Sequence, residues 1–164
     1  LIYAKNGHRP MLLEHLAELF PRHIQIHYGQ YQREQLFEAA RRSRACAYLA
    51  DDDHGPLALQ EILLAGCPTV GVRTGASFVR TGETGVLVDR LPPGRQCVET
   101  EEDEQTLARY LDAIKQAQSM RRESVHQFSA EQFDTERSIE IVIAALATVR
   151  ELAVSNATGN TCPQ

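Results

Sequence analysis

Two acids separated by seven residues, Asp53 and Glu61, lie in the stretch DDDHGPLALQE, residues 51–61. Three consecutive acids stand there between an apolar run, ACAYLA, and a helix-like run, LALQEILLAG. Negative charge concentrated at a strand-to-helix junction costs stability unless something uses it. Glu61 falls one turn beyond Leu57 on the same helix, so the two face one side. A carboxylate in the loop and another in the first turns of the helix can grip different hydroxyls of one elongated ligand. Between them, backbone N–H groups at the helix start are a ready anion site. Hydroxyls plus phosphate describe a nucleotide sugar. Spacing alone leaves other readings open. Glu61 can be a solvated helix acid, and Asp53 can cap the helix that starts at Leu57. Asp51 and Asp53 can form a D-x-D pair holding Mg²⁺ or Mn²⁺ on a diphosphate, since such ions take oxygen ligands. His54 is a lone loop histidine, and Tyr28 and Tyr31 flank Gly29 where a base could stack or a core could pack.

The elements that must hold these residues can be read from periodicity. LIYA is a strand closed by Lys5-Asn6-Gly7. Pro10 suits a first helical turn, and Leu12, Leu13, Leu16, Leu19 and Phe20 form an apolar stripe that ends before Pro21. Residues 23–28 alternate like a strand, and Gly29 breaks them. A helix over about residues 32–42 is expected to bury Leu36, Phe37 and Ala40. Residues 45–50 form a continuous apolar run, short enough for a strand buried on both faces. The helix over 57–65 ends at Gly66 with Pro68 beyond, and strands follow at 69–72 and 86–88. Further helices are expected over about 103–118 and, opened by a capping box at Ser129-Ala130-Glu131-Gln132, from there to about residue 154. Strands alternating with helices imply an α/β fold: one Rossmann-like domain over residues 1–154, a parallel sheet with helices on both faces, and a frayed tail at 155–164. Such sheets bind ligands at the carboxyl ends of their strands.

Taken in order, DDDHGPLALQEILLAGCPTVGV, the turn RTGAS and then RTGETGVLV resemble the C-terminal, donor-binding domain of the group 1 glycosyltransferases, the retaining enzymes of the GT-B fold. The similarity runs over about residues 28–88, and HQFSAEQFD adds a looser match to the start of that family's closing helix. The resemblance implies a hexosyltransferase-like enzyme, of the kind used in polysaccharide biosynthesis, with a nucleoside diphosphate sugar as donor substrate and no cofactor or metal. Within the family's E-x7-E pattern, Glu61 matches the acid that holds the ribose hydroxyls and Asp53 the one that contacts the donor sugar. Gly55 and Leu57 fall where backbone approaches sugar and diphosphate, and Gly75 and Ala76 match a Gly-Gly turn lining the cleft. Lys5, and Arg9 after it, stand near the family's cations for the diphosphate, which neutralise the departing nucleotide. The chain departs from the pattern in having Asp for the first Glu, Gly55 one place early, Pro56 without an N–H, and KNGHR in place of the usual basic cluster. Those departures make a catalytically degenerate α/β binding or regulatory module the alternative, with the D-x-D enzyme a further one.

Composition bounds the rest. A chain of 164 residues with 43% apolar and 24% charged residues can bury a proper core. Its net charge of −5 argues against nucleic acid as the main partner, because phosphate backbones need concentrated Lys and Arg. The acids of residues 99–104 suit the positive end of a helix dipole. Cys46, Cys67, Cys97 and Cys162 form no C-x-x-C pair, and the first two read as small core residues of a reduced, cytoplasmic protein. No run reaches the roughly eighteen apolar residues of a membrane span. Beginning at Leu1 with an apolar run, the sequence reads as an excerpt. The expected partners are the nucleotide sugar and an upstream acceptor domain, with peripheral membrane association of the full enzyme compatible with that picture.

Overall fold

The computed structural model describes residues 1–5, 10–50, 52–53, 55–89, 101–136, 139 and 143, with backbone alone at 101–104 and 106. Apolar runs too short for helices form the strands: β1 (Ile2–Ala4), β2 (Gln25–His27), β3 (Cys46–Leu49), β4 (Thr69–Val72) and β5 (Gly85–Val88). All neighbours pair in parallel, in the order β2-β1-β3-β4-β5. Every residue of β1, β3 and β4 is buried, as expected of strands covered on both faces. The α/β, Rossmann-like architecture expected from the alternation of strand and helix is the one observed.

Alternation along the strands divides the core into two layers. Ile2, Ala4, Ala47, Leu49, Val70, Val72, Val86 and Val88 point to one face, under Leu12, Leu13 and Leu16 of α1 (Pro10–Leu19) and Tyr110, Ala113, Ile114 and Ala117 of α4 (Glu101–Gln118). Tyr3, Cys46, Tyr48 and Thr69 point to the other, which α2 (Arg33–Arg42) and α3 (Leu57–Leu64) cover while packing on each other. Cys46 and Cys67 are buried and unbridged. Burial pushes both thiols up, Cys67 to about 11, so they are inert packing residues.

The helix ends explain the boundaries. The N–H of Gln32 donates to Gln35 Oε1 at 2.8 Å, opening α2. α3 stops in a Schellman motif, with Cys67 N–H on Ile62 O (3.2 Å), Gly66 N–H on Leu63 O (2.9 Å) and Gly66 at φ +72°. Two expectations need correction. Phe37 is 40% exposed, because Leu36, Ala39 and Ala40 make the buried stripe of α2 and Phe37 flanks it. Ser129 opens no helix: it lies inside α5 (Arg122–Gln132), buried, with its hydroxyl donating to Val125 O at 2.7 Å. α5 begins instead where Arg122 donates to three carbonyls at the ends of α2 and α3: Ser43 O, Ala40 O at 3.1 Å and Ala65 O at 2.9 Å.

The chain divides into two compact units, Leu1–Ala130 and Glu131–Gln164. The sheet and every residue placed at a site below belong to the first. In the second, Asp134 Oδ1 accepts the N–H of Glu136 at 2.8 Å. Of the helix expected to about residue 154, residues 137–138, 140–142 and 144 onward lie outside the described residues, as does the tail at 155–164. Among the described residues, no helix is long and apolar enough to cross a membrane.

Candidate functional site

The strand order reverses at β1. From β1 the chain goes out to β2 on one side, then returns past it to place β3 on the other. Connections leaving β1 and β3 in opposite directions open a crevice between their carboxyl ends, where doubly wound sheets of this order bind ligands. Lys5 follows β1, its N–H on Leu49 O at 3.0 Å, and Asp53 follows β3.

Beneath this crevice lies a tyrosine cluster. Tyr3 and Tyr48 are register partners on adjacent strands, so their rings stack at 5.0 Å with a 6° interplanar angle. Tyr31 meets Tyr3 edge-on at 5.9 Å, and the two hydroxyls lie 3.2 Å apart. The Tyr48 hydroxyl donates to Asp53 Oδ2 at 2.7 Å. Lys5 Nζ reaches the same oxygen at 2.7 Å, and the Gly55 N–H reaches Oδ1 at 3.4 Å. The Asp53 side chain is only 3% exposed. Burial pushes its carboxyl up, but the hydrogen bonds from Lys5, Tyr48 and Gly55 and the charge of Lys5 outweigh that and hold it below the usual carboxylate range. Burial, reinforced by the bond to this carboxylate, pushes the Tyr48 hydroxyl far up, so it remains a donor. Asp53 is therefore ionised at neutral pH, an acceptor of hydroxyl protons and not a general acid. Nor is it the cap of α3, whose N-cap is Pro56 with no side-chain bond.

Glu61 stands on the same cleft, one wall of which is the amino end of α3. The cleft has a volume of about 440 Å³ and is lined by Tyr3, Lys5, Tyr28, Tyr31, Arg33, Tyr48, Asp53, Gly55, Leu57 and Glu61, among others. Glu61 is more than a solvated helix acid: Arg33 Nε, from α2, sits 2.5 Å from its Oε1. Lys5 Nζ also lies 4.9 Å from the centre of the half-exposed Tyr28 ring, within cation–π range. Two carboxylates, each holding a cation, thus face one space. A phosphate can take over the cations while sugar hydroxyls donate to the carboxylates.

The remaining expected site residues divide. Gly55 and the largely exposed Leu57 line the cleft, and a Cβ on Gly55 would meet nothing within 4 Å. Gly75 and Ala76 are buried and are not among the lining residues. A Cβ on Gly75 would fall 1.7 Å from Ala50 O, so this turn is a wedge against the end of β3. The same turn fixes the acid loop, with the Asp53 N–H on Thr74 O at 3.2 Å. Arg9, Asp51 and His54 lie outside the described residues. Among the described residues no three His, Cys, Asp or Glu side chains gather to hold a metal ion. Tyr3, Tyr48 and Arg33 were not expected at the site. The signal for the first two was a tyrosine in each of two otherwise apolar strands, LIYA and ACAYLA.

Compared with protein-family models, curated proteins and solved structures, the chain matches none of them.

Proposed function

We propose that this domain binds a nucleoside diphosphate sugar, as the donor half of a retaining glycosyltransferase of the GT-B type. The observation that carries the reading is the convergence of Asp53, Glu61 and Lys5 on one cleft at the β1/β3 reversal. Glu61 accepts hydrogen bonds from the ribose hydroxyls, and Asp53 accepts from the sugar. Lys5, with Arg33 on the same cleft, neutralises the diphosphate; charge grows there as the anomeric bond breaks, so a fixed cation favours the transition state over the ground state. Transfer needs an acceptor-binding half joined to this one, and this chain alone binds donor without transferring it.

Titration with UDP, GDP and ADP sugars, by calorimetry and by amide NMR shifts, tests the reading. One of them binds, with shifts at residues 5, 28–33 and 53–61, and Glu61→Ala abolishes the binding while Asp53→Ala chiefly weakens discrimination among sugars. An intact fold that binds none of them, or equal affinity in the Glu61 variant, refutes it.

A second reading is favoured by one observation: both oxygens of Asp53 are already satisfied from within the protein. A carboxylate so held suits a binding module that has lost transfer. Donor hydrolysis or transfer by the chain joined to an acceptor half separates the two.

A further inference from the structure

We propose that Lys5 is a latch on Asp53: its ammonium covers the carboxylate until a diphosphate draws it away, so a sugar is read only when it arrives attached to a diphosphate. The inference rests on the nucleotide-sugar reading above and adds an order to it, nucleotide first and sugar second.

The two acids of the cleft are not equally reachable. Glu61 keeps 19% of its side chain exposed beside Arg33, which is itself 78% exposed. Asp53 keeps 3%, with Lys5 Nζ 2.7 Å from Oδ2. Ribose hydroxyls therefore find an acceptor on Glu61 before anything moves, whereas the hydroxyls of a sugar find almost none on Asp53. Among the described residues, Lys5, Tyr48 and Gly55 bond the Asp53 carboxylate, and they differ in what they can do. The Tyr48 hydroxyl belongs to a fully buried side chain of β3, its ring stacked on Tyr3, and it has nowhere to go. The Gly55 donor is backbone. Lys5 alone sits on a flexible aliphatic stem that reaches the surface, 22% exposed. Its ammonium already lies 4.9 Å from the centre of the Tyr28 ring, on the lining of the same cleft, so a holding point remains when it leaves the acid.

Charge drives the exchange. A diphosphate carries about two negative charges at neutral pH, so at equal distance it attracts the ammonium about twice as strongly as one carboxylate does. Asp53 is not stranded by the loss, because Tyr48 and Gly55 still donate to it and a sugar hydroxyl takes the place that Lys5 gave up. A neutral sugar brings no charge with which to displace the ammonium. Tyr48 is thus a positioning residue: it keeps the carboxylate in place while the cation changes partner.

The test follows the Lys5 ammonium and the Asp53 carboxyl carbon by NMR in the ¹³C,¹⁵N-labelled chain at neutral pH. Inorganic pyrophosphate, which has neither base nor sugar, is expected to shift both signals together. Methyl α-glucoside, methyl α-galactoside and methyl α-mannoside leave the Asp53 signal of the wild type in place. Lys5→Met removes the latch, and at least one of these glycosides then binds about tenfold tighter, the worth of one hydrogen bond to a charged group. Lys5→Met/Tyr48→Phe, which keeps an aromatic ring at the stack, loses that gain, and Tyr48→Phe alone shifts the Asp53 carboxyl signal before any ligand is added. The pyrophosphate measurement uses the wild type and decides the matter even where a variant does not fold. Pyrophosphate that leaves Lys5 on Asp53, or glycosides that bind Lys5→Met no more tightly than wild type, overturns the latch. A nucleotide sugar that binds without moving the Lys5 signal overturns the latch and leaves the nucleotide-sugar reading standing. A latch that pyrophosphate opens, on a domain that binds no UDP, GDP or ADP sugar, does the reverse.

Discussion

Replacing Asp53 by Asn removes a charge while keeping an oxygen acceptor, and its cost follows from the three groups that carboxylate holds. Tyr48, fully buried, keeps a partner in the amide oxygen. Lys5 loses the counter-ion 2.7 Å away, on a side chain that is 22% exposed. Removing one member of a fully buried pair costs about 3–5 kcal/mol. Here part of the ammonium reaches water and the Tyr28 ring remains beside it, so about 1–3 kcal/mol is expected. Urea unfolding followed by far-UV circular dichroism measures this by linear extrapolation. The pH dependence identifies the cause. The native carboxyl titrates below its ordinary value, about 3.9 when unfolded. Its contribution is therefore complete above that value and is lost as pH falls through the depressed native one. The difference between wild type and Asp53→Asn is full at neutral pH and closes only in strong acid. Coupling of about 1 kcal/mol or more in a cycle with Lys5→Met would locate the effect in this pair. An Asp53→Asn protein within about 0.3 kcal/mol of wild type at neutral pH refutes the reasoning, as does a penalty that persists unchanged in strong acid.

Gly75→Ala places a methyl 1.7 Å from Ala50 O, against backbone that cannot yield, and is expected to cost about 3 kcal/mol or more, or to prevent folding. Gly55→Ala meets nothing within 4 Å and should leave stability within about 0.5 kcal/mol; thermal melts of the two compare them directly. Arg122→Ala removes charge-assisted bonds to three carbonyls and should cost about 2–4 kcal/mol by urea unfolding. Arg122→Lys recovers little of that, because an ammonium cannot reproduce the planar fork.

The strands and most helices were legible because short apolar runs and amphipathic stripes state their own burial. Ser129 misled because S-x-x-Q marks a helix start when the serine hydroxyl caps a free N–H. Mid-helix, the same hydroxyl bonds the carbonyl four residues back, and local sequence does not say which. Asp53 and Glu61 were legible as a pair by spacing, whereas their partners were not. Lys5 and Tyr48 meet Asp53 only because β1 and β3 are neighbours, and Arg33 meets Glu61 only because α2 lies beside α3. Those contacts depend on strand order, which no stretch of sequence near the acids encodes. At Gly75 the space that a Cβ would take is filled by the Ala50 carbonyl, a contact made across the fold that the residues of the turn do not announce.

The tyrosine cluster has a spectroscopic consequence. The chain has no tryptophan and five tyrosines, four of which, Tyr3, Tyr28, Tyr31 and Tyr48, line the same cleft. Near-ultraviolet absorption and emission of this protein are therefore dominated by that one place. Tyr48 is both stacked on Tyr3 and hydrogen-bonded to the Asp53 carboxylate, so a ligand that draws Asp53 away is expected to alter that signal. The molecule carries its own optical probe at its proposed site, and a quiet spectrum on adding ligand is informative without any label.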